Sequence, residues 1–237
     1  MQKYILVTGG TKGIGRAVIE RFAAEGFHII TCSRKESELK KLQLDLQQKY
    51  TFSKVFYQVA DLSDPLALQN FLNYVHSLKV KIDVLVNNTG VFLPGKIHEE
   101  PETVLRHMIE TNLYSAYFVT KSFVNDMIKR RSGHIFNMCS TASITPYTNG
   151  GSYCISKFAL YGMTKVLREE LKEHNVKVTA VLPGATLTAS WDGVDLPPTR
   201  FIRPDDVANA MYATYQLSDS AVVEELLIRP QLGDIES

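Results

Sequence analysis

The sequence predicts a doubly wound α/β protein with one seven-stranded parallel sheet of order 3-2-1-4-5-6-7 and helices on both faces. Three observations carry this. Short β-branched runs alternate with longer amphipathic stretches along the chain, the pattern of repeated βα units. The stretches between runs are long enough for right-handed helical crossovers. And 237 residues, 45% of them hydrophobic, bury one large core more readily than two small ones.

The elements follow in order. The first strand, near 3–8, is read on Ile5, Leu6 and Val7, stops at Thr8 and Gly9, and leads to a helix over 14–25. A strand at 28–33 ends in CSRKE before a helix at 36–49, and a strand at 54–59 runs into ADLSD before a helix at 65–78. The apolar run at 82–87 gives way to the polar turn NNTG, and one long helix is expected over 102–130. A fifth strand at 133–139 closes at Ser140 ahead of a helix over 152–174; a strand at 176–182, a helix at 204–217 and a strand at 222–228 complete the set. Residues 184–203, rich in Thr, Pro and Gly and without clear periodicity, read as a lid. No repeat or linker divides the chain, so a single domain over 1–237 is expected.

Composition excludes several classes of function. With 26 Lys and Arg against 25 Asp and Glu, the net charge of +1 leaves no electrostatic footprint for nucleic acid or an anionic membrane. The basic run Lys129, Arg130, Arg131 is expected to close a helix C-terminus. Cys32, Cys139 and Cys154 form no CxxC pair and have no matching histidine set, so they are read as core thiols of a protein in a reducing compartment, with no metal site. No apolar run approaches membrane-spanning or signal-peptide length, and a cytoplasmic location is expected.

In such a sheet, ligands bind beyond the carboxyl ends of the strands. After the first strand, TGGTKGIG places Gly9, Gly13 and Gly15 where a backbone must turn tightly and approach a pyrophosphate at a helix N-terminus. After the second, where dinucleotide folds often carry an acid for the ribose hydroxyls, stands Ser33 followed by Arg34. With no carboxylate there and with Lys12 and Arg34 as cations, the electrostatics favour NADP(H) over NAD(H). After the third, Asp61 could accept from an adenine amino group; its alternative role is a helix cap, which Ser63 or Asp64 could fill instead.

Tyr153 and Lys157 stand four positions apart at the start of an expected helix, so their side chains are neighbours. An ammonium beside a phenol favours the phenolate and lowers its pKa, which turns a poor acid and base into a usable one. Ser140, at a strand end, could polarise a substrate carbonyl while the tyrosine protonates the oxygen.

Together these segments resemble the short-chain dehydrogenase/reductase family, over essentially the whole chain. TGGTKGIG looks like its cofactor loop, NNTG like its NNAG turn, Asn112 like its asparagine, and Ser140 with YCISK like its Ser and Tyr-x-x-x-Lys; PGATLT, 183–188, resembles the segment that holds the nicotinamide carboxamide. Thr89 departs from the usual alanine. The resemblance implies a Rossmann-type fold, a catalytic set of Asn112, Ser140, Tyr153 and Lys157, and an Asn112-held water linking Lys157 to solvent. It also implies a cofactor surface of Gly9, Thr11, Lys12, Gly13, Ile14, Gly15, Ser33, Arg34, Asp61, Leu62, Asn88, Gly90, Tyr153, Lys157, Pro183, Gly184, Thr186 and Thr188. NADPH would deliver hydride to a carbonyl and Tyr153 the proton.

For substrate, the tail VVEELLIRPQLGDIES and SWDGVD in the lid are similar to bacterial sepiapterin reductases. A carboxylate can accept bidentately from a pterin, so Asp192 and Asp195 are candidates, with Trp191 as a stacking surface and Tyr147 beside Ser140 and Tyr153. A hydroxy acid would instead need a cation, for which Arg200 or Arg203 could serve. The expected activity is an NADPH-dependent carbonyl reductase acting on sepiapterin or a related dicarbonyl. Its alternatives are a 3-oxoacyl-acyl carrier protein reductase, a 3-hydroxy acid dehydrogenase, or a non-catalytic NADP(H)-binding regulator. The family also implies a homodimer or homotetramer; Phe118, Phe123, Phe158 and Leu167 could face the sheet or a partner copy.

Overall fold

An interior strand shows how the two layers arise. β1 (Tyr4–Thr8) is buried on both faces, and its alternating side chains feed two separate cores: Ile5 and Val7 on one side, Leu6 on the other. A computed structural model describes residues 2–191 and 193–235. β2 (His28–Ser33), β3 (Val55–Val59), β4 (Val84–Asn87), β5 (Gly133–Met138), β6 (Val176–Pro183) and β7 (Glu225–Ile228) pair parallel to it and to one another in the order 3-2-1-4-5-6-7. That is the expected topology, which turns every strand's carboxyl end toward one edge of the sheet.

Against the Ile5 and Val7 face pack α1 (Gly13–Ala24), α2 (Glu36–Lys49) and α7 (Pro204–Tyr215), through Phe22, Leu42 and Met211 among others. The Leu6 face is covered by α3 (Pro65–Ser77), α5 (Ser115–Arg130) and α6 (Gly151–Leu171), through Phe71, Phe123 and Leu171. α3 starts on Pro65, and the Asp64 carboxylate accepts from the Leu66 amide at 2.9 Å; this cap leaves Asp61 free of that duty. At the end of α5, Arg130 and Arg131 donate to backbone carbonyls, Arg131 to that of Glu173 at 2.9 Å. All three cysteines are buried and free.

The helix expected over 102–130 is broken. α4 (Glu102–Ile109) and α5 are joined by a π-helical turn, Glu110–Tyr114, with Asn112 at its middle. Such widened turns re-aim side chains and recur at functional sites. The seventh strand begins at Glu225 rather than 222, a short edge strand. Of the four uncertain apolar residues, Phe123 is buried and Leu167 packs on the same core, whereas Phe118 (44% exposed) and Phe158 (42%) face outward. No helix of the described residues is long and apolar enough to cross a membrane.

Candidate active site

The loop after β1 is held open by its own backbone. Gly9 and Gly13 adopt φ of +67° and +52°, a region costly for any other residue. A Cβ at Gly15 would lie 2.4 Å from Asn88 Nδ2 and 2.6 Å from the Gly9 carbonyl, so glycine is obligatory there. NNTG supplies the matching wall. The Asn88 side chain donates to the carbonyls of Thr8 and Gly9 at 2.9 and 3.0 Å, and the amides of Asn88 and Thr89 both donate to Thr8 Oγ1 at 3.0 Å. Thr89 stands directly over Gly9, its Oγ1 3.1 Å from where a Cβ would be, without touching the catalytic side chains.

This loop forms one side of a cavity of about 1140 Å³ at the carboxyl edge of the sheet. Its lining includes Gly9, Thr11, Lys12, Gly13, Ile14, Gly15, Ser33, Arg34, Asp61, Leu62, Asn88, Gly90, Ser140, Tyr147, Tyr153, Lys157, Pro183, Gly184, Thr186, Thr188 and Trp191. Asp195 is exposed and stands outside it, and Asp192 lies outside the described residues. Asp195 misses the cavity because its exposed side chain is turned to solvent one position beyond Val194, which does line it.

At one end the cavity reaches the buried Lys157. The Tyr153 ring meets Phe92 edge-on, with centroids 4.9 Å apart. Burial pushes the Tyr153 phenol up to about 12, with the Ser140 hydroxyl pulling the other way, and burial holds the Lys157 ammonium down to about 8. Lys157 Nζ donates to the Met138 carbonyl at 2.8 Å and stands 5.7 Å from the Tyr153 ring centroid. The expected lowering of the tyrosine by Lys157 is therefore not seen: the ammonium is engaged by a carbonyl, and desolvation dominates both groups. Ser140 caps the short 3-10 turn Thr141–Ser143; its Oγ accepts from the Ala142 amide at 3.1 Å, which leaves its own proton to face the Tyr153 phenol and the cavity.

Asn112 braces the site from behind. Its Oδ1 accepts from the Val91 amide at 2.7 Å, and its Nδ2 donates to the Val91 carbonyl at 3.0 Å and to Ser156 Oγ at 2.9 Å. Both Nδ2 protons are thus used inside the protein, and only a remaining Oδ1 lone pair could meet a water. The start of α6, which carries Tyr153, is tied down by Glu100: its Oε1 accepts from the Ser152 amide at 3.0 Å and its other oxygen from the Ser152 hydroxyl.

The other end is charged. Lys12 Nζ stands 3.0 Å from Glu38 Oε1, and Thr11 Oγ1 donates to Glu38 Oε2 at 3.1 Å. The expectation that no carboxylate lies here needs correction. None stands at the end of β2, but the first turn of α2 returns one, Glu38, from five positions beyond Ser33. Asp61 accepts from the amide and hydroxyl of Ser63 at 3.0 and 2.7 Å; burial pushes its carboxyl up, but those bonds and the Arg34 charge outweigh that and leave it lowered.

The lid is closed at its base by pairing of Thr186 with Ile202, and Trp191 packs on Phe201 with centroids 5.2 Å apart while still lining the cavity. Arg200 donates to the carbonyls of Gly233 and Asp234 at 3.0 Å each, and Arg203 pairs with Asp206 at 2.9 Å; neither lines the cavity. The chain's tail does, through Asp234, whose carboxylate packs beside Gly184 and pairs with Arg229. The sequence reading missed Glu38, Glu100, Asp234 and Thr111. Thr111 lines the cavity with a buried hydroxyl that has no partner among the described residues.

The fold and cavity define a dinucleotide-site α/β protein. The family described as short chain dehydrogenase matches residues 3–196, and the chain belongs to it. A sepiapterin reductase of Chlorobaculum tepidum is 31% identical over 100% of this chain and 99% of its own. The alcohol dehydrogenase of the archaeon Thermococcus sibiricus, complexed with 5-hydroxy-NADP, superposes with a TM-score of 0.90 at 26% identity, covering 100% of both chains. L-sorbose reductase from Gluconobacter frateurii, complexed with NADPH and L-sorbose, gives 0.88 at 25% identity, covering 96% of this chain and 95% of that one.

Proposed function

We propose that the chain is an NADPH-dependent carbonyl reductase whose substrate is sepiapterin or a related dicarbonyl. The observation that carries this is the joint presence of Ser140, Tyr153 and Lys157 at one end of a cavity whose other end holds Lys12 and Arg34. NADP(H) fits the residues present: a glycine cradle that a Cβ would fill, and at Thr111 a buried hydroxyl lacking a partner among the described residues. Gly9, Gly13 and Gly15 would hold the pyrophosphate, Lys12 and Arg34 the 2'-phosphate, and Pro183, Gly184, Thr186 and Thr188 the nicotinamide end.

When bound, NADPH supplies a hydride to the carbonyl carbon. The chain's own residues handle the proton and the oxygen. Ser140, beside the Tyr153 phenol, turns its hydroxyl proton to the carbonyl oxygen and polarises it. Tyr153, kept neutral by burial, gives the oxygen its phenolic proton. Lys157 then offers the charge nearest the resulting phenolate. Asn112 acts chiefly as a brace that fixes Ser156, and so the Tyr153 and Lys157 helix, against Val91.

The pterin reading rests on the full-length similarity to a sepiapterin reductase and on the cavity's nicotinamide end, where Trp191 offers a flat apolar surface and Asp234 a carboxylate. Asp234 lines the cavity and Asp195 does not, so Asp234 joins Asp192 as a candidate for the pterin contact. The hydroxy-acid alternative loses its cations, since neither Arg200 nor Arg203 lines the cavity. A second copy of the chain would cover the outward aromatic patch of Tyr117, Phe118 and Phe158, giving a homodimer measurable by sedimentation velocity. The substrate is tested by NADPH oxidation with sepiapterin, diacetyl, an acetoacetyl thioester and a 3-oxo acid in parallel, each repeated with NADH. Preferred turnover of sepiapterin supports the proposal; a thioester or 3-oxo acid preference overturns its substrate half.

A further inference from the structure

The charged end of the cavity contains one group that works against the proposed cofactor. Glu38 projects from the first turn of α2 into the wall formed by Thr11, Lys12 and Ser33. Its Oε1 lies 3.0 Å from Lys12 Nζ and 3.7 Å from Lys35 Nζ, its Oε2 accepts from Thr11 Oγ1 at 3.1 Å, and Thr11 Oγ1 lies 3.3 Å from Ser33 Oγ. A helix first turn favours a carboxylate for its own sake. Glu36 in the same turn serves that purpose without entering the cavity: it pairs outward with Lys40 at 2.9 Å. Glu38 instead turns inward and occupies the cation that a 2'-phosphate needs.

We propose that Glu38 is a built-in competitor of the 2'-phosphate and sets the selectivity between NADP(H) and NAD(H). A phosphate arriving beside Ser33 must take Lys12 from Glu38 and then sit next to the displaced carboxylate. An adenosine ribose with a free 2'-hydroxyl has the opposite interest. It can donate to Glu38, which keeps its pairing with Lys12, in the way that an acid after the second strand serves this sugar in dinucleotide folds. The 2'-phosphate must therefore draw most of its binding from Arg34, which makes no close ion pair among the described residues, though its charge reaches Asp61, and which lines the same wall. The chain is thus a moderate rather than strict selector, with NADH as a usable second cofactor. Because Lys12 is 67% exposed and Glu38 23%, solvent screening keeps the effect small.

This inference rests on the NADP(H) reading of the site. It is tested by dissociation constants for NADPH and NADH, measured by calorimetry on the wild-type chain and on Glu38→Gln, Glu38→Lys and, as a control for charge outside the cavity, Glu36→Gln. Glu38→Gln is expected to tighten NADPH about threefold to tenfold and to weaken NADH, with Glu38→Lys moving both further in the same directions. Glu36→Gln should leave the ratio of the two constants within about twofold of wild type. Thermal unfolding of each variant reports that the fold is kept. An unchanged NADPH to NADH ratio in Glu38→Gln overturns the inference, as does weaker NADPH binding, which would make Glu38 a support that holds Lys12 in place for the phosphate. In either case the cofactor reading survives, since wild-type protein still binds NADPH. If wild-type protein binds neither nucleotide, the cofactor reading falls and this inference with it.

Discussion

The two ends of the cavity use charge in opposite ways. At the adenosine end Lys12, Arg34 and Glu38 are partly or fully exposed, and their charges persist because solvent and ion pairing support them. At the catalytic end Lys157 is 5% exposed, and burial pushes it and Tyr153 toward their neutral forms. Exposed charge selects a ligand by long-range attraction at modest strength. Buried polar groups instead hold a proton that can be given up only to a substrate oxygen in contact. A shifted group alone does not mark the site: burial drives His134 down to about 3 in the sheet, where its ring stacks on Phe136, away from the cavity.

The strongest way to break this contrast is at Tyr153. Tyr153→Phe keeps the ring against Phe92 and removes only the proton, so turnover is expected to fall by about 100-fold to 10,000-fold while NADPH affinity stays near wild type. Steady-state rates and calorimetric affinity on the same samples separate the two.

A pH profile comes next. In the proposed mechanism reduction needs the Tyr153 proton, retained to about 12, and the Lys157 charge, lost through about 8. For the free enzyme, kcat/KM should be level below about 8 and fall toward tenfold per unit above it. The same group affects stability. Its folded pKa lies below the unfolded value of 10.5, so between about 8 and 10.5 the unfolded chain holds the extra proton, and stability gains from this group as pH rises through that window. A profile flat through 8 would show that Lys157 carries no proton that matters.

At the exposed end the expected effects are smaller. Lys12→Met should weaken NADPH by about fivefold and NADH little, and the difference should shrink in high salt. Smaller still in activity is Glu100→Ala, which frees the start of α6: a loss of about 1 kcal/mol in unfolding free energy, read by urea denaturation, with kcat lowered more than KM is raised because Tyr153 is the next residue to the one released.

Much of this was legible in the chain itself. The glycine turn, NNTG, Ser140 and the Tyr153 and Lys157 spacing sit at strand ends or on one helix face, where sequence distance fixes spatial distance, and the strand order followed from the alternation. What escaped depends on side chains that return from elsewhere. Glu38 went unnoticed because only the packing of α2 on β2 and β3 turns it inward. Glu100 reaches α6 from a loop 52 positions away. The π turn at Asn112 has no periodicity of its own, so the helix across it read as continuous. In the lid, where no regular pairing fixes direction, the sequence did not show that Asp195 stands outside the cavity, nor that the tail brings Asp234 to its wall.

The most direct measurement is NADPH oxidation with sepiapterin, followed by absorbance, for wild-type protein and Tyr153→Phe side by side. Steady turnover by the wild type and its near-complete loss in the variant, with NADPH binding intact in both, is the result expected of a reductase that takes its proton from Tyr153. Comparable rates in the two proteins would contradict that assignment. NADPH binding without turnover of any of the four carbonyl substrates would leave a nucleotide-binding protein in place of an enzyme.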